Sequence, residues 1–275
     1  MQDVLARPGS AASIRGKFAY GAISKDLEDE AVRVFIDACA GWTSLGDFLT
    51  SGDGRISAPV PPALGAGVYQ VRLQVLGDGS VAPGRLWLLP HGTHLAVSDI
   101  DGTLTTSDDE LVQDVMADLY QPILGGRFVP AAYPGAAALT GALVGRGQVL
   151  VYLTGRPYWL TGRTRDWLSA GAFAAGPLHL ADSNGEALPT PAGVGAFKLA
   201  FLRSLTAQGF VLDEAYGNAA TDVSAYAGAG LAPGATWIIG PNGGSGGTNA
   251  VAGSWTARAA AVATLPPVTQ PFGVP

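Results

Sequence analysis

A parallel α/β domain preceded by a small all-β sandwich is the fold this chain predicts, and three observations predict it. First, Tyr69, Val71, Leu73 and Val75 alternate with Gln70, Arg72 and Gln74, the period of two expected of a strand with one face in a core. Second, turn signals such as Gly52-Asp53-Gly54 and Gly77-Asp78-Gly79 punctuate short apolar runs before position 95. Third, from Leu95 onward apolar strands are followed by helical stretches, the sign of βαβ units and a parallel sheet.

In order along the chain, residues 32–36, 69–75 and 86–89 are strands of a first domain, 1–94, read as an antiparallel sandwich of Ig-like or C2-like kind. Pro59, Pro61 and Pro62 mark a further turn, and Gly52-Asp53-Gly54 reads as a turn rather than a calcium loop. Residues 95–100, 149–153 and 237–239 are strands of a second domain, 95–275, predicted as a Rossmann-like parallel sheet with helices on both faces. A helix is expected from Phe197-Lys198-Leu199 to near Leu205. The Gly-rich run 240–247 lacks the lysine of a P-loop and is expected to be a flexible surface loop. The stretches 105–148 and 157–197 are short and carry no inserted domain, so little or no cap is expected over the site.

Composition excludes several classes. With 275 residues, 48% hydrophobic and 14% charged, the chain has ample apolar sequence for one large core or two modest ones. No apolar run reaches the roughly 18–20 residues of a membrane-spanning helix, and the first ten residues lack a secretory signal pattern. The chain is therefore read as soluble, and its expected place is the cytoplasm, either free or peripheral at a membrane. A formal charge of −6 speaks against the basic footprint of a nucleic-acid binder. The single cysteine, Cys39, rules out an internal disulfide and reads as a small buried apolar residue. His91, His94 and His179 form no metal-ligand spacing, and no role is assigned to them.

The chemistry concentrates in Ser98-Asp99-Ile100-Asp101-Gly102-Thr103-Leu104-Thr105, where an apolar strand runs out into a turn. Open parallel sheets bind ligands at that carboxyl edge. Two aspartates at i and i+2 can aim at one point once the strand ends, and Gly102 permits the tight turn this needs. One carboxylate can then attack while the other handles a proton. A carboxylate attacking an anionic phosphoryl group needs a hard divalent cation with oxygen ligands, and Mg²⁺ is the expected ion. Downstream, Thr154-Gly155-Arg156-Pro157 again puts a hydroxyl and backbone N–H groups at a strand end followed by helix-like sequence, either a phosphate cradle or an ordinary N-cap. Lys198 follows at a helix start, and Asn218 and Asp222 lie four residues apart in a Gly-bearing loop.

In order and spacing these four pieces resemble the haloacid dehalogenase superfamily over residues 95 to about 255. The Asp-Ile-Asp-Gly-Thr-Leu-Thr, Tyr-Leu-Thr-Gly-Arg-Pro and Gly-Asn-x-x-Thr-Asp-Val-x-x-Tyr runs are similar to lipin-type phosphatidate phosphatases. They are also similar to the related lipid-binding domain of some phosphatidylinositol transfer proteins. The resemblance implies Asp99 as nucleophile, Asp101 as general acid and base, and Thr154 and Lys198 as phosphoryl-binding catalytic residues. It further implies Thr103, Gly155 and Arg156 on the substrate, and Asp99, Asp101, Asn218 and Asp222 around Mg²⁺. The superfamily usually carries aspartate at the position of Asn218, whereas the lipin-like group carries asparagine. The expected function is a Mg²⁺-dependent phosphomonoester hydrolase acting through an aspartyl phosphate, with phosphatidate at a membrane surface as the implied substrate. The alternatives are a phosphatidate-binding module without turnover, and soluble sugar or protein phosphates as substrate. Arg127, Arg156, Arg163, Arg165 and Arg203, with Tyr158 and Trp159, are the expected membrane-contact patch.

Overall fold

The computed structural model describes residues 1–20, 25–38, 41–106, 130–182 and 190–273. Cys39, Arg127 and parts of the two stretches expected to lack a cap lie outside the described residues. The chain divides into two compact units, Met1–Pro90 and His91–Val274.

The first unit holds β1 (Val4–Ala6), β2 (Ser13–Lys17), β3 (Ala19–Tyr20), β4 (Lys25–Asp26), β5 (Ala31–Asp37), β6 (Trp42–Leu49), β7 (Arg55–Pro59), β8 (Gly67–Val75) and β9 (Val81–Leu88). Five of these make a sheet in the order β1-β9-β8-β5-β6, and β2 pairs with β7 in a second sheet. The period of two in β8 does what it predicted: Val71, Leu73 and Val75 are buried and Gln70 and Arg72 are exposed. Facing β2 and β7, they pack with Ile14, Ile56 and Ala58, and with Val32, Val34 and Leu86, in one apolar core. One expectation is corrected. The sandwich is not wholly antiparallel, because β1 pairs in parallel with β9, Val4 opposite Leu86. No hairpin joins these two strands, so the intervening domain acts as the crossover that a parallel pair needs.

The second unit runs β10 (His94–Ser98), α1 (Ala136–Gly145), β11 (Val149–Pro157), α2 (Thr161–Ala170), β12 (Leu178–Ala181), α3 (Ala196–Ala207), β13 (Val211–Gly217), α4 (Ala220–Gly228), β14 (Thr236–Ile239), β15 (Asn249–Val251) and α5 (Thr256–Ala263). The six strands lie in the order β12-β11-β10-β13-β14-β15, all parallel. Leu95, Ala96 and Val97 of β10 are all fully buried, as a central strand covered by helices on both faces requires. On one side Ala96, Leu150, Tyr152 and Tyr216 meet Leu139 and Leu143 of α1, Trp255, and Ala259 and Val262 of α5. The chain turns back between β10 and β13, so the crevice at the carboxyl ends of these two strands is the topological switch point, where such sheets bind ligands.

The opposite end of the sheet is closed by the C-terminal segment. Val268 and Phe272 donate backbone hydrogen bonds to the carbonyls of Arg146 and Gly147. Gly147 has φ +86° and a side chain there would run into Pro271, so only glycine fits both the turn and the close approach. His94, left without a role by its spacing, joins this segment: its Nδ1 lies 2.9 Å from Asp213 Oδ1 and its Nε2 3.0 Å from Thr269 Oγ1. His179 stacks on Phe201 with 3.7 Å between ring centroids.

Candidate functional site

The turn after β10 forms as its glycine predicted: Gly102 adopts φ +68°, and the amides of Thr103, Leu104 and Thr105 all point back to the carbonyl of Ile100. The buried indole of Trp255 donates to the Thr103 carbonyl at 2.7 Å, which anchors the turn from α5, 152 residues away. Asp99 itself is held by its amide on the Tyr216 carbonyl of β13 at 3.0 Å. The Tyr226 hydroxyl, whose pKa burial raises well above normal, donates to the same carbonyl.

Lys198, 3% exposed, emerges from the first turn of α3 and bonds Asp99 Oδ1 at 2.7 Å and Asp222 Oδ1 at 2.6 Å. Asp222, fully buried in the first turn of α4, reaches back with its other oxygen to the amides of Asn218 and Ala219, both at 3.1 Å. This satisfies backbone donors that the helix start would otherwise leave unpaired. The Thr103 hydroxyl stands between Asp99 Oδ2 at 3.2 Å and Asn218 Oδ1 at 3.1 Å, so these two oxygens converge on one point. Asp101 has partners of its own. Arg156, 1% exposed, grips both its oxygens, with Nη2 to Oδ1 at 2.8 Å and Nε to Oδ2 at 3.0 Å, and the Thr154 hydroxyl adds a bond at 3.1 Å. Arg156 is steadied in turn by the Thr164 hydroxyl of α2 at 3.1 Å.

All nine sequence-selected residues therefore lie along one edge of the sheet, in two linked clusters. The surroundings of Thr154 depart from expectation. β11 continues through Pro157 and a 3-10 turn intervenes, so α2 starts seven residues after Thr154, which is neither an N-cap nor the lip of a helix-start cradle. The bulge that carries Thr154-Gly155-Arg156 instead turns Arg156 toward Asp101. A side chain at Gly155 would strike Val194. Of the expected contact patch, Arg156 is buried on Asp101, whereas Arg203 is exposed and donates to the Gly228 carbonyl at the end of α4. The run 240–247 is tied to the site: Asn242 donates to the Asn218 carbonyl at 2.8 Å. Neither Asn242 nor Trp255 carries a motif, and only their positions in space reveal them.

The charges do not cancel. Among the described residues Asp99, Asp101 and Asp222 face Lys198 and Arg156, three carboxylates against two cations, which leaves one excess negative charge when all are ionised. Burial raises the Asp99 pKa to about 7; Lys198 pulls it down, and Asp222 and Asp101 push it up. Burial lowers the pKa of Lys198, but Asp222 and Asp99 outweigh it and hold the amine above its usual value. The shift on Asp99 has a sign that can be measured. Its folded-state value lies above the ordinary 3.8, so between about pH 4 and 7 the native state keeps a proton that the unfolded chain has released. Stability contributed by Asp99 is full below that window and is lost as pH rises through it. Urea unfolding at pH 5 and pH 8 should show a larger loss for wild type than for Asp99→Asn. Equal losses would place the excess charge elsewhere.

Residues 96–240 match the family model described as "PITM 1-3, LNS2 domain", and residues 1–87 match "PITM 1-3, beta-sandwich domain". The chain is similar to human membrane-associated phosphatidylinositol transfer protein 1, with 31% identity over 245 residues, 86% of this chain and 18% of that protein. It is likewise similar to human membrane-associated phosphatidylinositol transfer protein 3, with 30% identity over 86% of this chain and 23% of that one. Against the Drosophila melanogaster protein retinal degeneration B, identity is 31%, covering 86% of this chain and 18% of the fly protein. The chain thus spans about a fifth of the length of these relatives.

Proposed function

We propose, from the premise that this chain belongs to the PITM 1-3 family and carries its LNS2 domain, that the site at the carboxyl edge of β10 and β13 binds a phosphomonoester lipid head group of the phosphatidate kind. Binding at a membrane surface, rather than turnover, is its function in this reading. The observation that carries it is the state of Asp101. Both of its oxygens accept hydrogen bonds, from Arg156 and from Thr154, so the carboxylate is set as an acceptor rather than as the donor a leaving oxygen needs. The relatives named as phosphatidylinositol transfer proteins support the lipid class of the ligand.

A divalent cation fits the same residues on charge. Approaching a site with one excess negative charge, a phosphate would be repelled unless a cation or protons offset it. Among the described residues no three His, Cys, Asp or Glu side chains are arranged to hold a metal, so the donors would be mixed: Asp99 and Asn218, whose oxygens converge on Thr103, the Asp101 backbone carbonyl, and Asp222. When bound, Mg²⁺ would supply charge neutralisation beside the phosphate. Lys198, Thr103 and backbone N–H groups of the turn after Asp99 would orient the head group.

A second reading is favoured by Asp99 itself. A binding site has no need of a second carboxylate next to a buried, lysine-held one, whereas a phosphatase does. In that reading Asp99 attacks phosphorus, the lipid alkoxide leaves with a proton from Asp101, and water then hydrolyses the aspartyl phosphate. One experiment separates the two: co-sedimentation with phosphatidylcholine vesicles with and without phosphatidate, alongside inorganic phosphate release, each with Mg²⁺ and with chelator. The binding reading expects metal-dependent preference for phosphatidate and no release. Release that Asp99→Asn abolishes would replace it with the second reading, and the absence of any phosphatidate preference would overturn the lipid assignment.

A further inference from the structure

Three large apolar side chains of the second unit stand exposed among its described residues: Trp159 at 47%, Val211 at 40% and Leu265 at 41%. Val211 opens β13, and Leu265 lies with His94 and Asp213 around a cavity of about 450 Å³ toward the amino edge of the sheet. Trp159 stands apart from both, in the 3-10 turn that directly follows β11 at the carboxyl edge, where Asp99 and Asp101 lie. Packing does not require it there, because the neighbouring Leu160, 1% exposed, already fills the core position of the turn. The turn is also held at both ends. Arg156, three residues before Trp159, is fixed on Asp101, and Thr164, five residues after it, is fixed on Arg156. The Thr161 hydroxyl closes the turn on the Tyr158 carbonyl at 2.5 Å. An indole is thus presented to solvent on a braced support beside the phosphate site, with little ordering left to lose on binding. Locally the charge is positive: residues 158–170 carry Arg163 and Arg165 against Asp166, in a chain of formal charge −6.

We infer that Trp159 is an interfacial anchor, entering the head-group zone of an anionic phospholipid bilayer so that the carboxyl edge of the sheet, with its phosphate site, faces the membrane. A tryptophan suits that zone because its ring is apolar while its N–H remains hydrogen-bonded to head groups and water. The inference rests on the proposed phosphate-binding reading, and deepens it by making the ligand a lipid in a bilayer rather than a free phosphate.

The test uses the full chain as wild type, Trp159→Ala and Trp159→Phe. Vesicles of phosphatidylcholine with a minor fraction of phosphatidate, or of phosphatidylserine, measure membrane affinity; calorimetry with glycerol 3-phosphate measures the site alone. Trp159→Ala should weaken affinity for both anionic vesicles about tenfold, with Trp159→Phe in between, while glycerol 3-phosphate binding stays at the wild-type level. Undiminished vesicle binding by Trp159→Ala would overturn the anchor and point to a protein partner for this turn. Parallel loss of glycerol 3-phosphate binding would also overturn it, by making Trp159 a shaper of the site. Wild type that binds anionic vesicles through Trp159 but ignores glycerol 3-phosphate and phosphatidate would keep the anchor and remove the phosphate-binding reading instead.

Discussion

Replacing Lys198 with methionine should destabilise the second unit by about 3–5 kcal/mol, the cost typical of removing one partner from a buried ion pair. The reason lies in what remains. Asp99 and Asp222 would keep their positions, tied to backbone amides, to Thr103 and to neighbouring turns, but would lose the ammonium that bonds both. Two carboxylates 7% and 0% exposed cannot recover that loss from water. At pH 8, adding Asp99→Asn to the methionine variant should restore part of the stability, because the buried Asp99 carboxyl, no longer held by Lys198, must there either take up a proton or stand uncompensated. A double-mutant cycle by urea unfolding therefore carries a coupling term of favourable sign. A methionine variant as stable as wild type would mean that Lys198 does not neutralise this cluster.

The second large effect is expected away from the site. Glu214 of β13 accepts from Arg258 of α5, from Arg146 at 3.3 Å and from the Tyr216 hydroxyl at 2.6 Å. Arg258 also lies 3.9 Å over the ring of Trp237. Glu214→Ala would leave two largely buried guanidinium groups facing each other, and a loss of roughly 3 kcal/mol is expected by chemical denaturation. Glutamine, which keeps an acceptor, should lose less. Because this cluster sits toward the amino edge, the folded alanine variant should bind phosphate head groups as wild type does. The pair of variants then separates stability from function: Lys198→Met should impair both, Glu214→Ala stability alone. Loss of head-group binding by folded Glu214→Ala would contradict the assignment of the site to the carboxyl edge.

Much of the fold was legible in the chain because its signals are local. Backbone geometry forces the period of two in β8, continuous burial forces the apolar run of β10, and a positive φ forces glycine at position 102. The parallel pairing of β1 was not legible, since it joins ends of a domain that share no turn. Among the site residues, Asp99 and Asp101 were visible from a strand end followed by a permissive turn, and Lys198, Asn218 and Asp222 from the order of pieces that the family resemblance supplied. The reach of Arg156 was not visible, because a bulge that extends β11 past Thr154 redirects it. A strand running into helix-like sequence reads the same with or without that bulge.

By itself, then, the sequence determined that a parallel sheet would end in a pair of aspartates, and that a second unit with half-buried strands would precede it. Only the tertiary structure decided how those aspartates are used: Asp99 shared with Asp222 through one lysine, Asp101 turned to Arg156 and Thr154, Asn218 steadied by Asn242, and the turn pinned by Trp255. The physical reason is range. Hydrophobic period and backbone strain act between residues a few positions apart, so a string of letters records them. The partners of a buried charge are chosen among groups that packing brings together from as far as 99 positions away, and that choice exists only once the core has formed.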